Sequence, residues 1–239
     1  MDLSIVIPAY NEERSLVRCL TRVRDFASAR GLIYEILVVN DGSTDGTAEL
    51  VRDCMGEQGD LQLLSNGYNR GKGYAVKQGV LAAQGDIILF MDADLSTPVE
   101  EWDRMQEWLE NGFPVVIGTR RTAGARIERH QPVLREWMGR VFTSLSRGFT
   151  GTSVSDFTCG FKTFSREAAR EIFSRQTLDD WSFDTEILCI AGRRGFKIKE
   201  VPVRWSNAGG SRVHLLRDAL RSFLGLLKVR FNILRRLYD

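Results

Sequence analysis

Two aspartates, Asp92 and Asp94, are separated by one residue at the end of the apolar run "DIILFM". If the run is a strand, residues two apart point to the same side of the sheet, so both carboxylates can aim at one point above its edge. Carboxylates at the end of a buried strand are costly unless something compensates their charge. Paired carboxylate oxygens suit Mg²⁺ or Mn²⁺, which also accepts oxygens from substrate phosphates. The pair therefore predicts a metal site, with helix capping by Asp94 and Ser96 ahead of Pro98 as the alternative.

Two further polar motifs have the residue types of a nucleotide site. In "NDGSTDGT", Asp41 stands where a strand ends and can accept hydrogen bonds from a nucleobase or ribose. In "NRGKGYAVKQG", glycines allow the backbone to approach a ligand, and Lys72 at a helix start can meet phosphate. The second motif lacks the Walker A pattern. The alternative for both is structural, because hydroxyls also cap helices and glycines also permit turns.

An arginine-rich segment lies further along the chain. It holds six arginines against two glutamates, at positions Arg120, Arg121, Arg126, Arg129, Arg135 and Arg140, with Glu128 and Glu136. Arginine forms bidentate hydrogen bonds with phosphate, so the segment suits an anionic acceptor. We expect Arg120, Arg135 and Arg140 to contact it, and a solvated basic loop is the alternative.

Two later aspartates are candidates for a general base. A phosphate monoester has a second pKa of about 6 and is largely dianionic at pH 7, so it can attack without a strong base. A hydroxyl acceptor needs a base within hydrogen-bond reach. Asp156 in "SDFTCGF" and Asp184 in "WSFDTEIL" are placed for that role. Otherwise Asp156 orders a turn and Asp184 caps a helix.

The elements that must position these residues follow an alternating pattern. Apolar runs predict strands at Leu3–Pro8, Glu35–Asn40, Leu61–Ser65, Asp86–Met91 and Val115–Thr119. Helical patterns between them cover Glu12–Ala29, Thr44–Met55, Lys72–Ala83 and Pro98–Asn111. This alternation predicts an α/β fold with a Rossmann-like, mostly parallel sheet and helices on both faces. Ligands bind beyond the carboxyl ends of such strands, which is where the polar motifs fall.

Composition limits the class of protein. The chain has 239 residues, of which 43% are apolar and 27% charged, as in an ordinary globular domain. A formal charge of +2 argues against a nucleic-acid-binding protein. The four cysteines form no CxxC pair, which fits reduced thiols in a cytoplasmic protein. We find no signal peptide and no spanning segment, so we expect membrane contact only at a surface.

The C-terminal segment, residues 213–239, predicts a basic amphipathic helix. An apolar stripe runs through Leu216, Leu220, Phe223, Leu227, Phe231, Leu234 and Tyr238, flanked by basic residues. Such a helix can lie on anionic lipid or pack on its own domain. We therefore expect a catalytic domain over residues 1–212, with this helix as part of it or as a membrane-surface element. The loop from Gly209 to Arg212 is expected to close over the bound donor, with a plain surface turn as the alternative.

The chain resembles a known enzyme family. The stretches "IVIPAYNEE", "VVNDGSTDGT", "NRGKGYAVKQG" and "DADLSTP" resemble the family 2 inverting glycosyltransferases of GT-A fold. "DFTCGFKTFSREAA", "WSFDTEIL", "EVPVRW" and "GGSRV" narrow the resemblance to the polyprenyl-phosphate branch, particularly dolichyl-phosphate glucosyltransferases, with mannosyltransferases close behind. The resemblance covers nearly the whole chain. Many mannosyl members have Gln where Ser96 stands, which leaves the donor sugar open.

The resemblance implies the reaction and its residues. It implies transfer of a hexose, glucose from UDP-glucose first, with inversion to a dolichyl or undecaprenyl phosphate at the cytoplasmic membrane face. The alternatives are GDP-mannose as donor, a hydroxyl acceptor, or a nucleotide-sugar-binding protein without turnover. Asp94, Asp156 and Arg120 are the expected catalytic residues, and Mg²⁺ or Mn²⁺ on Asp92 and Asp94 the expected cofactor. The expected donor-binding residues are Pro8, Tyr10, Glu12, Asp41, Lys72, Gly73 and Asp92.

Overall fold

A computed structural model describes residues 1–56, 59–208 and 215–239, and it is built on a seven-stranded sheet. The strands of this sheet are β1 (Leu3–Ala9), β2 (Tyr34–Asn40), β3 (Leu61–Ser65), β4 (Ile87–Met91), β5 (Val115–Thr119), β7 (Phe161–Ser165) and β8 (Ile198–Pro202). Their spatial order is β3-β2-β1-β4-β7-β5-β8. Strand β7 runs antiparallel to both neighbours, and the other pairings in this sheet are parallel. The predicted α/β fold with a mostly parallel sheet is confirmed.

Helices cover both faces of the sheet. They are α1 (Leu16–Ala29), α2 (Thr47–Cys54), α3 (Lys72–Ala82), α4 (Trp102–Glu110), α5 (Val133–Thr150), α6 (Arg166–Arg175), α7 (Phe183–Arg193) and α8 (Leu215–Leu234), with a 3-10 turn at Val99–Glu101. Because side chains alternate along a strand, β1 contributes to two cores. Ile5 and Ile7 pack in the core that contains α1 and α4, and Val6 packs in the core that contains α3, α6 and α7.

The predicted strands of the first half are found within one residue of their expected ends. Helix α1 begins four residues later than predicted, since Glu12 accepts a hydrogen bond from the Ser15 hydroxyl at 2.5 Å and the segment between them forms a turn. Strand β7 has no counterpart among the predicted strands. Its second residue, Lys162, is a charge inside a buried sheet, which hides the strand from a reading of hydrophobic pattern.

The arginine-rich segment is partly a strand, which corrects its prediction as a loop. Strand β6 (Arg126–Arg129) pairs in parallel with β9 (Arg204–Ser206) in a separate two-stranded sheet. The partner lies far away in the sequence, so local pattern carries no signal of the pairing. This small sheet holds the segment after β5 close to the segment after β8.

Helix α8 packs through a face other than the predicted apolar stripe. Leu226, Val229 and Ile233 are buried, and α8 contacts α5 and α7. The stripe residues Leu220, Phe223, Leu227, Phe231 and Leu234 are exposed, and only the last stripe residue, Tyr238, is buried. The Leu216 side chain and the loop from Gly209 to Arg212 lie outside the described residues. In the described part of the chain, no helix combines the length and the apolar character needed to cross a membrane.

Candidate active site

The loops that follow β1 and β2 are joined to each other at the carboxyl edge of the sheet. The backbone N–H of Asn11 donates to the Ser43 hydroxyl at 2.8 Å, and that of Glu12 donates to the Thr47 hydroxyl at 2.8 Å. Asn11 has a φ of 55°, which is uncommon for a residue other than glycine and tends to occur at functional sites. The predicted residues Tyr10 and Glu12 belong to this joined pair of loops.

Asp92 stands directly after β4 and is held from two sides. Its Oδ1 atom lies 2.6 Å from Nζ of Lys72, and its backbone N–H donates to the carbonyl of Gly160 at 3.1 Å. A side chain at Gly160 would collide with the Asp92 carboxylate. Gly160, in "TCGFK", is therefore a site residue that sequence reasoning missed, because nothing in the local pattern shows which carboxylate it faces.

Asp94 is exposed at the same edge. Its carboxylate accepts hydrogen bonds from the Ser96 backbone N–H and hydroxyl, both at 2.8 Å. The surrounding protein removes part of its hydration and, together with the charge of Asp92, raises the pKa of Asp94. Leu95, between Asp94 and Ser96, has a φ of 54° and is a second strained position beside the site. Pro98 precedes the 3-10 turn without a side-chain cap, so Asp94 and Ser96 do not cap the following helix.

The two carboxylates can hold one divalent cation. Burial raises the pKa of the Cys19 thiol to about 12, and the charges of Asp94, Asp92 and Glu12 add to this effect. Two carboxylates with open positions for water and phosphate oxygens are a usual Mg²⁺ arrangement. In the ranges that the structure describes, no cluster of three or more His, Cys, Asp or Glu side chains forms a closed metal site.

Lys72 is the first residue of α3 and points at Asp92. Its Nζ atom lies 5.1 Å from the ring centroid of Trp181, which is 51% exposed. The two glycines beside Lys72 serve packing within the chain. A Cβ at Gly71 would collide with the Asp179 carbonyl, and one at Gly73 would lie 2.7 Å from the Leu178 carbonyl oxygen. Contact with the segment before α7 therefore requires glycine at position 73, and its place at the donor site stays a prediction.

Asp41 is 3% exposed and holds the loop that leads into α3. It accepts from Asn66 Nδ2 at 2.9 Å and from the backbone N–H groups of Arg70 at 3.0 Å and Gly71 at 2.8 Å. A carboxylate offers about four acceptor positions, so Asp41 can accept one further hydrogen bond. Pro8, also predicted at the donor site, pairs with Val39 inside the sheet.

Arg120 and Asp156 form a bidentate ion pair beside the two loops. Arg120 Nε and Nη2 donate to the Asp156 carboxylate at 2.7 and 2.8 Å, and its backbone N–H donates at 3.1 Å. Burial opposes the charge of Asp156, but Arg120 outweighs it and holds the pKa of that carboxyl well below its usual range. Such a carboxylate is a weak proton acceptor and an effective orienting group for Arg120. The guanidinium carbon also lies 5.3 Å from the ring centroid of Trp205.

The other predicted arginines are on α5. Burial lowers the pKa of Arg135, and the charge of Arg120 lowers it further. Arg140 is exposed. Burial lowers the pKa of Arg121, and the charge of Arg140 lowers it further. In the described residues neither Arg135 nor Arg140 has a carboxylate partner. Asp184 is buried and pairs with Lys162 at 2.5 Å, so it does not cap α7.

The sequence is similar to that of a known enzyme family. The family model described as Glycosyl transferase family 2 matches residues 4–173. A dolichyl-phosphate beta-glucosyltransferase of Dictyostelium discoideum is 32% identical over 97% of this chain and 75% of its own length. The enzyme of that name from Saccharomyces cerevisiae is 33% identical over 99% of this chain and 76% of its own length. One from Trichomonas vaginalis is 34% identical, and this chain spans only 66% of its length.

Solved structures with low sequence identity share the fold. Mannosyl-3-phosphoglycerate synthase from Rubrobacter xylanophilus has a TM-score of 0.72 with 20% identity, over 99% of this chain and 74% of that one. Glucosyl-3-phosphoglycerate synthase from Mycobacterium tuberculosis, in complex with Mn²⁺, uridine-diphosphate-glucose and glycerol 3-phosphate, has a TM-score of 0.65 with 20% identity, over 95% and 79%. The expected GT-A architecture is confirmed. The chain belongs to glycosyl transferase family 2, in the branch that contains the dolichyl-phosphate beta-glucosyltransferases.

Proposed function

We propose that this protein transfers glucose from UDP-glucose, with inversion, to a polyprenyl phosphate at the cytoplasmic face of a membrane. One observation carries the proposal. The carboxylate pair with Lys72 lies beside the Arg120–Asp156 pair at one edge of the sheet, so the site has one half for a metal-bound diphosphate and one half for an anionic acceptor. The relatives named above, which are dolichyl-phosphate beta-glucosyltransferases, support glucose as the sugar and a polyprenyl phosphate as the acceptor.

The donor half binds a nucleotide diphosphate sugar. Asp94 and Asp92 hold Mg²⁺ or Mn²⁺, and Lys72 adds a positive charge at the start of α3. The bound cation neutralises negative charge that develops on the leaving nucleoside diphosphate. Asp41 offers its remaining acceptor position to the nucleoside, and exposed Tyr10 lies at the end of β1.

The acceptor half favours a phosphate over a hydroxyl group. A phosphate dianion needs no general base, whereas a hydroxyl does. Asp156 is fully engaged by Arg120, and Asp184 is buried against Lys162, so neither candidate base is available to a hydroxyl acceptor. Arg120 donates to Asp156 through Nε and Nη2, which leaves Nη1 for the acceptor phosphate, with Arg135 beside it.

The outer faces of α5 and α8 form the surface that meets the lipid, which we call the two-helix face. The helices contact each other, and the rings of Phe149 and Phe223 meet edge-on with centroids 6.1 Å apart. Exposed apolar side chains on the face are Val133, Leu134, Trp137, Val141, Leu145, Leu220, Phe223, Leu224, Leu227, Phe231 and Leu234. Exposed Arg140, Arg221 and Lys228 accompany them, which suits anionic headgroups. Because α5 also carries Arg135, docking through this face brings a lipid phosphate to the arginines.

The decisive experiment compares donors on one acceptor. The protein is incubated with Mn²⁺, vesicles that contain a polyprenyl phosphate, and either UDP-glucose or GDP-mannose. We expect release of UDP together with a glucosylated lipid, and little GDP. Release of GDP from GDP-mannose at a higher rate would overturn the choice of sugar. UDP release that does not depend on the lipid phosphate would overturn the acceptor.

A further inference from the structure

A second ion pair, Lys162–Asp184, is buried close to the Lys72–Asp92 pair. Lys162 is the second residue of β7 and has no exposed surface. Its Nζ atom donates to Asp184 Oδ1 at 2.5 Å and to the Cys159 carbonyl at 2.6 Å. Replacing such a pair by apolar side chains is often neutral for stability or favourable. The stability of the fold therefore does not explain why two charges are placed there.

The geometry connects this pair to the donor half of the site. The Nζ atoms of Lys72 and Lys162 lie 5.3 and 5.7 Å from the ring centroid of Phe90. Phe183, the first residue of α7, packs edge-on against Phe90 with centroids 5.9 Å apart. A Cβ at Gly73 would lie 2.7 Å from Cβ of Phe183. The first turns of α3 and α7 therefore interlock around one ring, with Lys72 on the first and Asp184 on the second.

The charges of the two pairs also act on each other. Burial opposes the positive charge of Lys72, but Asp92 and Asp184 outweigh it and raise the pKa of the ammonium group. Three carboxylates are thus within electrostatic reach of Lys72, and two of them, Asp92 and Asp94, are the proposed metal ligands. A divalent cation on Asp92 competes with Lys72 for that carboxylate, because two positive groups repel each other at such a distance. Asp184 is then the carboxylate that remains for Lys72.

We propose that Lys162 and Asp184 are positioning residues for Lys72. Lys162 holds the Asp184 carboxylate in place, and Asp184 keeps the Lys72 ammonium directed at the donor diphosphate while Asp92 binds the metal. The inference rests on the donor half of the proposed function and is independent of the acceptor. It assigns a role to two buried residues that touch neither substrate.

A double-mutant cycle on nucleotide affinity tests this coupling. The dissociation constant of UDP in Mn²⁺ is measured by calorimetry for the wild type, Asp184→Asn, Lys72→Met and the double variant. We expect Asp184→Asn to weaken UDP binding about tenfold, the size of one charge-assisted hydrogen bond, with no further loss in the Lys72→Met background. The KM for the lipid phosphate should stay unchanged. Equal losses in both backgrounds would overturn the proposal, since that is what a merely structural role gives.

Two controls separate positioning from folding. Lys162→Met with Asp184→Leu removes both buried charges, and we expect it to keep a wild-type melting temperature with the same loss of UDP affinity. Asp60→Asn breaks the Arg24–Asp60 pair at the opposite edge of the sheet and should lower stability without affecting UDP. A double variant that binds UDP normally would overturn the proposal. If the wild type turns over UDP-glucose but the effects of Asp184→Asn and Lys72→Met on UDP affinity are additive, only this inference fails. If the wild type binds neither UDP nor GDP, the proposed function fails as well.

Discussion

Two of the acidic side chains at the candidate site, Asp92 and Asp156, are in ion pairs, and Asp94 is compensated differently. Lys72 pairs with Asp92, and Arg120 pairs with Asp156. Asp94 instead accepts two hydrogen bonds from Ser96. Hydrogen bonds from a neutral group compensate a carboxylate less than an ion pair does, so Asp94 is the residue that gains most from a bound cation.

Asp94→Asn should abolish metal-dependent transfer while leaving the fold intact. The amide keeps an acceptor for Ser96 but loses the charge that binds the cation. We expect the transfer rate to fall at least about a hundredfold, in line with the loss of one strong electrostatic contact to the leaving group. Rates across a Mn²⁺ titration and thermal unfolding of both proteins measure this. Full wild-type activity in excess chelator would contradict the metal role.

Asp156→Asn should lower stability strongly, because it leaves the Arg120 guanidinium without a charged partner. Removing one member of a buried pair costs about 3–5 kcal/mol, and the Arg120 side chain is only 18% exposed. Denaturant unfolding at pH 7 measures the loss. The matched control is Asp103→Asn, which breaks the exposed Arg30–Asp103 pair and should cost less than about 1 kcal/mol.

The same pair predicts how stability depends on pH. The pKa of Asp156 in the folded protein lies well below its usual range because Arg120 outweighs the opposing effect of burial. Its contribution is therefore fully present above the unfolded pKa of about 4 and is lost only as the pH falls towards the lower folded pKa. Unfolding free energies at pH 7, 4 and 3 should fall less steeply for Asp156→Asn than for the wild type. Identical slopes would show that the pair does not set the acid stability.

At the scale of elements, helix α8 has two apolar faces with different roles. Its inner face places Val229 and Ile233 in the main core. At its end, Tyr238 donates to Glu186 Oε1 at 2.7 Å, and Asn232 donates to Tyr238 at 2.9 Å. Deleting α8 would remove these core contacts, so membrane binding must be tested with point substitutions on the outer face.

Phe223→Glu with Leu227→Glu should weaken binding to vesicles. Both side chains are exposed on the two-helix face, and burying one large apolar side chain contributes about 1.5–3 kcal/mol. We expect vesicle affinity to fall at least about tenfold in a sedimentation assay, with the melting temperature unchanged. Ile33→Glu is the matched control, since Ile33 is 64% exposed at the opposite edge of the sheet. If Ile33→Glu weakened vesicle binding as much as the double variant does, the two-helix face would not be the docking surface.

At the scale of the whole molecule, the sheet separates two cores that together bury three of the four cysteines. Burial raises the pKa of Cys159 to about 11 and that of Cys19 and Cys189 to about 12. Cys54 is partly exposed at the end of α2. A thiol is reactive as the thiolate and only when a reagent can reach it.

Native protein at pH 8 should therefore react through about one cysteine, Cys54, with an aromatic disulfide reagent, and through all four in denaturant. The three buried thiols should react at least about a hundredfold more slowly, at the rate at which the cores open. Absorbance of the released thiol gives the count and the rate, and Cys54→Ser should remove the fast phase. A second fast thiol in the native protein would contradict the packing of one core.

The periodicity of hydrophobic residues and the polar motifs were sufficient to predict the first half of the fold. The runs that became β1 to β5 are short and apolar, so their strands are visible in sequence, and the polar motifs necessarily fall at their carboxyl ends. Strand β7 was not predictable, because a charge at Lys162 interrupts its pattern and its compensation comes from Asp184 on another element. The pairing of β6 with β9 was not predictable either, because it joins segments that are far apart in the sequence.

The sequence by itself determined the fold class, the family and the residue types of the donor site. Only the tertiary structure decided which carboxylate pairs with which cation, that Gly160 faces Asp92, and which face of α8 is outside. The physical reason is the distance along the chain over which each interaction acts. Periodicity and turn chemistry act between near neighbours in the chain, whereas Lys72–Asp92, Arg120–Asp156 and Lys162–Asp184 are contacts between residues 20 to 36 positions apart that exist only once the strands have assembled.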